Sequence, residues 1–307
     1  MERQRVDFRP AYLHLYENGQ FGRRIEALAA MLTACSLCPR RCRVNRLEGD
    51  RGYCRAGRDL SVSSVFPHHG EEPPLVGRHG SGTIFLAHCN LRCVFCQNYE
   101  ISHLGAGERF TTDEMARAMI RLQEIGCHNI NFVTPTHFAP QIMAALPEAI
   151  EAGLRVPLVY NCGGYESVDV IRLLDGIVDI YMPDVKFFSS DVAERLCNAP
   201  DYPQVVKSVL KEMHRQVGDL VTDSAGIAER GLLIRHLVMP RGLAGTEEVM
   251  RFIAEELSPR SYVNIMAQYR PVYRAGEFPD VNRRITASEF HEALEIARRQ
   301  GIHRGFA

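Results

Sequence analysis

A chain of 307 residues is long enough for one large domain or two modest ones. With 36 Lys and Arg against 37 Asp and Glu, a net charge of -1 and 46% hydrophobic residues, it reads as a globular protein and excludes both an acidic tail and a globally basic nucleic-acid binder. No apolar run reaches the ~18 residues of a membrane span, and the opening MERQRVDFRP is too charged for the apolar region of a signal peptide, so a cytoplasmic chain without a membrane partner is expected.

Ten cysteines stand at positions 35, 38, 42, 54, 89, 93, 96, 127, 162 and 197. Disulfide scaffolds are short and secreted, so the clustering of seven of these cysteines in the first third of the chain points to metal. The first group, Cys35-Ser-Leu-Cys38-Pro-Arg-Arg-Cys42 with Cys54 further on, has the spacing C-x2-C-x3-C-x11-C. Four thiolates suit tetrahedral zinc or a fully ligated [4Fe-4S] cluster. Seven arginines between residues 40 and 58 either offset the thiolate charge, face a partner or form a solvated loop; RNA binding is not expected from them. This Arg-rich stretch, poor in long apolar runs, sets residues 1–80 apart as a cysteine-rich segment from residues 81–307.

From Ser81 onward, short apolar runs alternate with amphipathic stretches, the pattern of successive βα units and a parallel sheet. Gly82–Ala87 is predicted as the first strand. Thr111 and Glu114 predict a capping box for a helix carrying Met115, Met119, Leu122 and Ile125, which Gly126 ends. Strands are predicted at Ile130–Val133, Pro157–Tyr160, Gly176–Met182, Leu232–Val238 and Tyr262–Ala267, with helices over 138–152, 166–174, 203–218, 246–257 and 286–300. Six such units make either a doubly wound open sheet or a partial barrel, which periodicity does not separate. Nearly every strand ends in a polar or glycine-rich turn: Thr134-Pro-Thr-His137, Asn161-Cys-Gly-Gly164, Pro183-Asp-Val-Lys186, Pro240-Arg-Gly242 and Gln268-Tyr-Arg270. In a barrel those turns converge on one mouth.

The second cysteine group, Cys89-Asn-Leu-Arg-Cys93-Val-Phe-Cys96-Gln-Asn98, has the spacing C-x3-C-x2-C and follows the first strand directly. Three thiolates on one loop can hold three irons of a cubane and leave one iron without a protein ligand. Zinc would need a fourth ligand, for which His88 and His103 are available. This spacing, with the aromatic Phe95 before the last cysteine, resembles the radical S-adenosylmethionine (SAM) superfamily. The run CNLRCVFCQN is similar to the activating enzymes of glycyl radical proteins, such as the pyruvate formate-lyase activator. CPRRC, TPTH, PDVKF and VNIMAQYRP together resemble an iron-sulfur subgroup related to those activators, over essentially the whole chain.

The resemblance implies a partial (β/α)6 TIM-like barrel with a [4Fe-4S] cluster at its mouth, held by Cys89, Cys93 and Cys96. It further implies that SAM chelates the fourth iron and is cleaved to methionine and a 5'-deoxyadenosyl radical that abstracts hydrogen. It carries over Phe95 and Asn98 of the motif as cofactor-binding residues. The activators usually have a glycine-rich, acidic turn after the second strand, whereas this chain has Thr134-Pro-Thr-His137. Thr134 and Thr136 are expected to accept from the methionyl amine there, or else to cap the following helix. Asn161, Asp184 and Gln268 are expected at the mouth around SAM, with Gly163 and Gly164 allowing close approach of backbone to ligand. Lys186, Asp184 and His137 are the candidate catalytic residues. Arg235, His236, Tyr269 and Arg270 would line the same mouth, while a His between Arg and Leu is more often a core residue. Cys127 and Cys197 read as buried apolar residues, and Cys162 as facing the cavity.

The function expected is a radical SAM oxidoreductase served by a low-potential donor such as flavodoxin or ferredoxin, with a glycyl radical protein as the substrate suggested by the nearest resemblance. Two alternatives stand beside it. One is direct modification of a small molecule, peptide or RNA by the same radical chemistry; the other is a non-catalytic zinc or iron-sulfur interaction protein.

Overall fold

The computed structural model describes residues 8–306. Among these residues nine strands form one sheet: β1 (Leu60–His68), β2 (Ser81–Leu86), β3 (Glu108–Phe110), β4 (Ile130–Val133), β5 (Leu158–Cys162), β6 (Ile180–Val185), β7 (Val221–Thr222), β8 (Ala228–Leu237) and β9 (Tyr262–Met266). β2, β4, β5, β6, β8 and β9 are parallel neighbours in that order, so the six expected βα units make one curved parallel sheet that does not close. The partial barrel is the architecture; the doubly wound alternative falls because strand order follows chain order without a reversal. Among the described residues, no helix is long and apolar enough to cross a membrane.

Local chemistry explains the helix limits. Thr111 accepts from the Glu114 N–H while Glu114 accepts from the Thr111 N–H, a full capping box that starts the helix Thr112–Ile125, and Gly126 ends it at φ 100°. Thr286 and Glu289 repeat the device at Ala287–Arg299. The fourth parallel strand begins at Ile180, later than expected, because Gly176 turns left-handed at φ 76° and Ile177 N–H closes a turn on the Leu174 carbonyl. The helix expected over 246–257 is α-helical over Thr246–Phe252 and widens into a π turn over Ile253–Leu257.

The segment before residue 81 is more regular than its composition suggests. β1 runs antiparallel to β2 from Val62 opposite Leu86 to His68 opposite Ser81, and β3 adds to its outer edge. Helices Ala11–Glu17 and Phe21–Ala30 precede it. Tyr12, Leu28, Leu37 and Cys54 belong to the same apolar core as Ile142, Leu146 and Val206 of the barrel helices. Arg46, buried, donates to the Gly57 carbonyl at 3.0 Å and to the His137 carbonyl at 2.6 Å, tying this segment to the turn after β4.

Because side chains alternate along a strand, Asn161 and Val159 of β5, Asp184 and Met182 of β6, Arg235 and Leu233 of β8, and Asn264 of β9 share the lumen face. Leu75, from the β1–β2 connection, packs with Val159, Ile180, Met182 and Leu233 and fills the end of the lumen where the strands begin. The opposite end, where they finish, is the mouth.

Candidate functional site

The loop after β2 carries the three-cysteine motif and is pinned on both sides. Val94 N–H bonds the Leu196 carbonyl at 3.0 Å, and Arg274 N–H bonds the Val94 carbonyl at 2.9 Å. Left-handed backbone at His88 (φ 73°) and Arg92 (φ 53°) folds the loop back on itself. Cys93 is buried, with Cys89 and Cys96 half-buried. Burial, reinforced by Cys93 and Cys96 nearby, pushes the Cys89 thiol up to about 12 against the pull of the Arg92 and Leu91 N–H groups. Cys96 is raised by burial and by Cys93, while Ser102 Oγ lies 3.1 Å from its sulfur.

Among the described residues no three His, Cys, Asp or Glu side chains are drawn together closely enough to hold a metal ion. Three neighbouring thiols, with no carboxylate among them, each have an ionised form that the protein disfavours; a bound cation would reverse this. That donor set fits an iron-sulfur cluster.

Across the mouth, Lys186 Nζ donates to Asp184 Oδ2 at 2.6 Å, Arg235 Nε to Asp184 Oδ1 at 2.8 Å, and Arg235 Nη2 to Asn161 Oδ1 at 2.9 Å. Burial alone would raise Asp184, but Arg235 and Lys186 outweigh it and hold the carboxyl below its ordinary range. The Lys186 chain lies beside Leu91 of the cysteine loop, since a Cβ placed on Gly163 would meet Leu91 at 2.8 Å and Lys186 Cε at 3.9 Å. Phe95 is buried between Phe187 and Tyr269, with ring centroids 6.0 and 5.7 Å away.

A family model described as the radical SAM superfamily matches residues 83–229, from β2 to the start of β8. The uncharacterized protein MJ0674 of Methanocaldococcus jannaschii is 35% identical over 289 residues, covering 91% of this chain and 78% of its own length. MJ0808 of the same organism is 23% identical over 294 residues, covering 88% and 78%. The chain belongs to the radical SAM superfamily. A crystal structure of HydG, a maturase of the [FeFe]-hydrogenase, shares the fold at TM-score 0.50 and 13% identity, covering 73% of this chain; the chain spans half of that structure's length.

The other expected residues of this radical SAM chain divide between mouth and core. Thr134 is left-handed at φ 59°, a conformation that a β-branched residue takes only when its surroundings impose it, and its N–H bonds the Asn161 carbonyl at 2.8 Å. Thr136 is buried, with its hydroxyl 2.8 Å from Glu166 Oε1. The His137 ring is also buried: Nε2 lies 2.7 Å from the Ala87 carbonyl, and burial pushes its pKa down to about 3. Asn98 and Gln268 are exposed, and the Gln268 carbonyl accepts from Gln97 at 3.0 Å.

Three sets of residues placed at the mouth by sequence face protein instead, His236 in keeping with the core reading of a His between Arg and Leu. A Cβ on Gly163 would lie 2.8 Å from Leu91, and one on Gly164 (φ 76°) 2.3 Å from the Asp184 carbonyl, so these glycines admit protein rather than ligand. His236 is a satisfied core residue, bonded to the Val185 carbonyl at 2.9 Å and the Thr246 hydroxyl at 3.0 Å. Tyr269 is likewise buried, with its hydroxyl on the Val281 carbonyl at 2.7 Å.

Four residues escaped sequence reasoning. Cys197 Sγ lies 3.1 Å from Cys93 Sγ; its isolation in sequence concealed this. Glu166, held by Thr136 and Tyr160, is pushed by burial up to about 7. Glu71 and Glu72 reach Arg235 from the β1–β2 connection, 3.6 and 4.0 Å away. Two adjacent carboxylates before a Pro-Pro turn were the only signal, inside a segment read as outside the barrel.

The N-terminal cysteines are neighbours without closing into a metal-sized group. Burial raises Cys54, with Cys35 and Cys42 adding to it, and raises Cys38, with Cys54 adding. The Tyr53 N–H points at the Cys42 sulfur, 3.3 Å away. The two cysteine loops touch. Arg40 Nε donates to the Asn90 carbonyl at 3.0 Å, and Arg40 Nη2 donates to the Cys197 carbonyl at 2.9 Å.

Proposed function

We propose that Cys89, Cys93 and Cys96 hold a [4Fe-4S] cluster with one iron left to SAM, and that Lys186, Asp184, Arg235 and Asn161 position SAM and substrate above the lumen. When bound, cluster and SAM together supply a 5'-deoxyadenosyl radical, formed by one-electron reductive cleavage of the sulfonium and able to abstract hydrogen. The observation that carries this reading is the network reaching from Asn161 through Arg235 and Asp184 to Lys186, on strand ends facing the three-cysteine loop. Lys186 offers an ammonium to a carboxylate, with Asp184 keeping it charged and aimed. The plugged lumen below restricts water from that side.

Cys35, Cys38, Cys42 and Cys54 would hold zinc or a second [4Fe-4S] cluster, supported by their C-x2-C-x3-C-x11-C spacing and by the Tyr53 N–H that points at the Cys42 sulfur. Electrons would come from a donor of flavodoxin or ferredoxin type. Likeness of CNLRCVFCQN to glycyl-radical activators supports a glycyl radical protein as substrate. A second reading, direct modification of a small molecule or peptide, is favoured by a small cavity of about 210 Å³ against β9.

Calorimetric titration of SAM into anaerobic, iron-reconstituted protein tests the proposal. SAM should bind, and Lys186→Ala should weaken it roughly 10- to 150-fold, as loss of a charge-assisted contact does, without loss of iron. Absence of SAM binding with iron verified would overturn the reading.

A further inference from the structure

Between the lumen face of β9 and the segment Gly70–Pro73 lies a cavity of about 210 Å³, lined by Glu71, Glu72, Arg235, Tyr262, Asn264 and Met266 among others. Glu72 is 4% exposed. Its Oε1 accepts from Asn264 Nδ2 at 2.9 Å, whereas Oε2 is buried with no hydrogen-bond partner. Arg235 does not supply what is missing: its Nε is bonded to Asp184 and its Nη2 to Asn161, and it stands 4.0 Å from Glu72 Oε1 and 3.6 Å from Glu71 Oε2.

The local charges are three carboxylates, of Glu71, Glu72 and Asp184, against the two cations Lys186 and Arg235, with His68 Nδ1 3.5 Å from Glu71. Burial raises the Glu71 carboxyl, with Glu72 and Asp184 adding to it and Arg235 and His68 pulling the other way. A clamp built only to fasten the β1–β2 connection to β8 and β9 would pack tightly and satisfy both oxygens of its carboxylate. Here an acceptor is left over beside open space. The cavity is smaller than the ~300 to 1,000 Å³ of a site for a whole ligand, so it suits one substituent of a larger molecule.

We propose that this cavity receives an organic ammonium group of the substrate, with Glu72 as its main anionic partner and Glu71 beside it. The inference rests on the radical SAM reading, because it assigns to the substrate the space that Arg235 shares with the proposed SAM network. The ammonium would belong either to a free amine or to a lysine side chain of a peptide. Both have a flexible alkyl chain that the lining of Tyr262 and Met266 accommodates.

The test uses anaerobic, cluster-loaded protein with SAM present and compares each cation with its neutral counterpart by calorimetry or ligand-observed NMR. Cadaverine is set against 1-pentanol, and capped Gly-Lys-Gly against capped Gly-norleucine-Gly. At least one cation should bind 10-fold or more tightly than its counterpart, and which one does identifies a free amine or a peptide as the source. Glu72→Gln should abolish that preference, with folding checked by its melting curve. Equal binding of cation and counterpart in both pairs, or a preference that survives in folded Glu72→Gln, would overturn the proposal. Should that variant fail to fold, the comparison on the unsubstituted protein decides alone. SAM binding is followed in the same samples: its absence counts against the proposed function, whereas cation preference reports on the Glu72 cavity.

Discussion

Arg235 Nε donates to Asp184 Oδ1 at 2.8 Å, and the two are register partners on adjacent parallel strands, so the pair spans the lumen wall at one level. A second nitrogen of the same guanidinium reaches Asn161 one strand further on. One planar fork therefore fixes the ends of three strands and holds Asp184 ionised for Lys186.

Arg235→Lys keeps the charge but loses the fork. Asn161 and one side of Asp184 then lose their donor, and the fold should weaken by roughly 1 to 3 kcal/mol, the cost of an unsatisfied buried group. SAM affinity should fall at least 10-fold while iron content holds. Denaturant unfolding and SAM titration check this; unchanged affinity would remove Arg235 from the site.

Metal analysis separates the two cysteine groups. Cys93→Ala should remove the roughly four irons of the barrel loop and spare the other site. Cys38→Ala should remove only what the N-terminal cysteines hold, about one zinc or about four irons. Cys197→Ser should keep both, since Cys197 lies beside Cys93 but outside the three-cysteine motif. Full iron in Cys93→Ala would show the ligand assignment to be wrong.

Much of this fold could be read from sequence because local devices were strong. Thr111 with Glu114, Thr286 with Glu289 and Gly126 mark helix ends through contacts three or four residues apart. The parallel strands declare themselves by apolar runs buried on both faces. β1 did not, because its burial alternates with half-exposed Ser61, Ser63 and Ser64, and its stability comes from pairing with β2 across a long connection. The same non-locality hid Glu71, Glu72 and Cys197, whose partners are Arg235 and Cys93, far away along the chain. Conversely His137 and Thr136, attractive as polar residues on a strand-end turn, point into the packed layer beneath it.

Asp179 gives the fold a pH dependence. Its carboxylate accepts from Ala11 N–H at 2.8 Å and Leu158 N–H at 3.1 Å, joining the first described helix to the sheet, yet burial raises its pKa from 3.8 to about 7. A raised folded-state pKa means that the protonated form is favoured by folding. The resulting stabilisation is complete below pH 3.8 and is lost as pH rises through 7, by up to about 1.4 kcal/mol per pH unit in that window. Asp179→Asn should cost stability at all pH values, because its amide N–H faces one of the two backbone donors, but should flatten the slope between pH 4 and about 7. Denaturation midpoints at several pH values test this; parallel curves would refute the assignment.

The most direct test of the account is chromatography of SAM products from reduced, cluster-loaded protein under anaerobic conditions. If Cys89, Cys93 and Cys96 hold a cluster as proposed, its fourth iron would be left for SAM, which predicts slow conversion of SAM to 5'-deoxyadenosine and methionine even without substrate, and none in variants lacking Cys89, Cys93 or Cys96. S-adenosylhomocysteine as the main product, or no SAM consumed with cluster and reductant both verified, would contradict it.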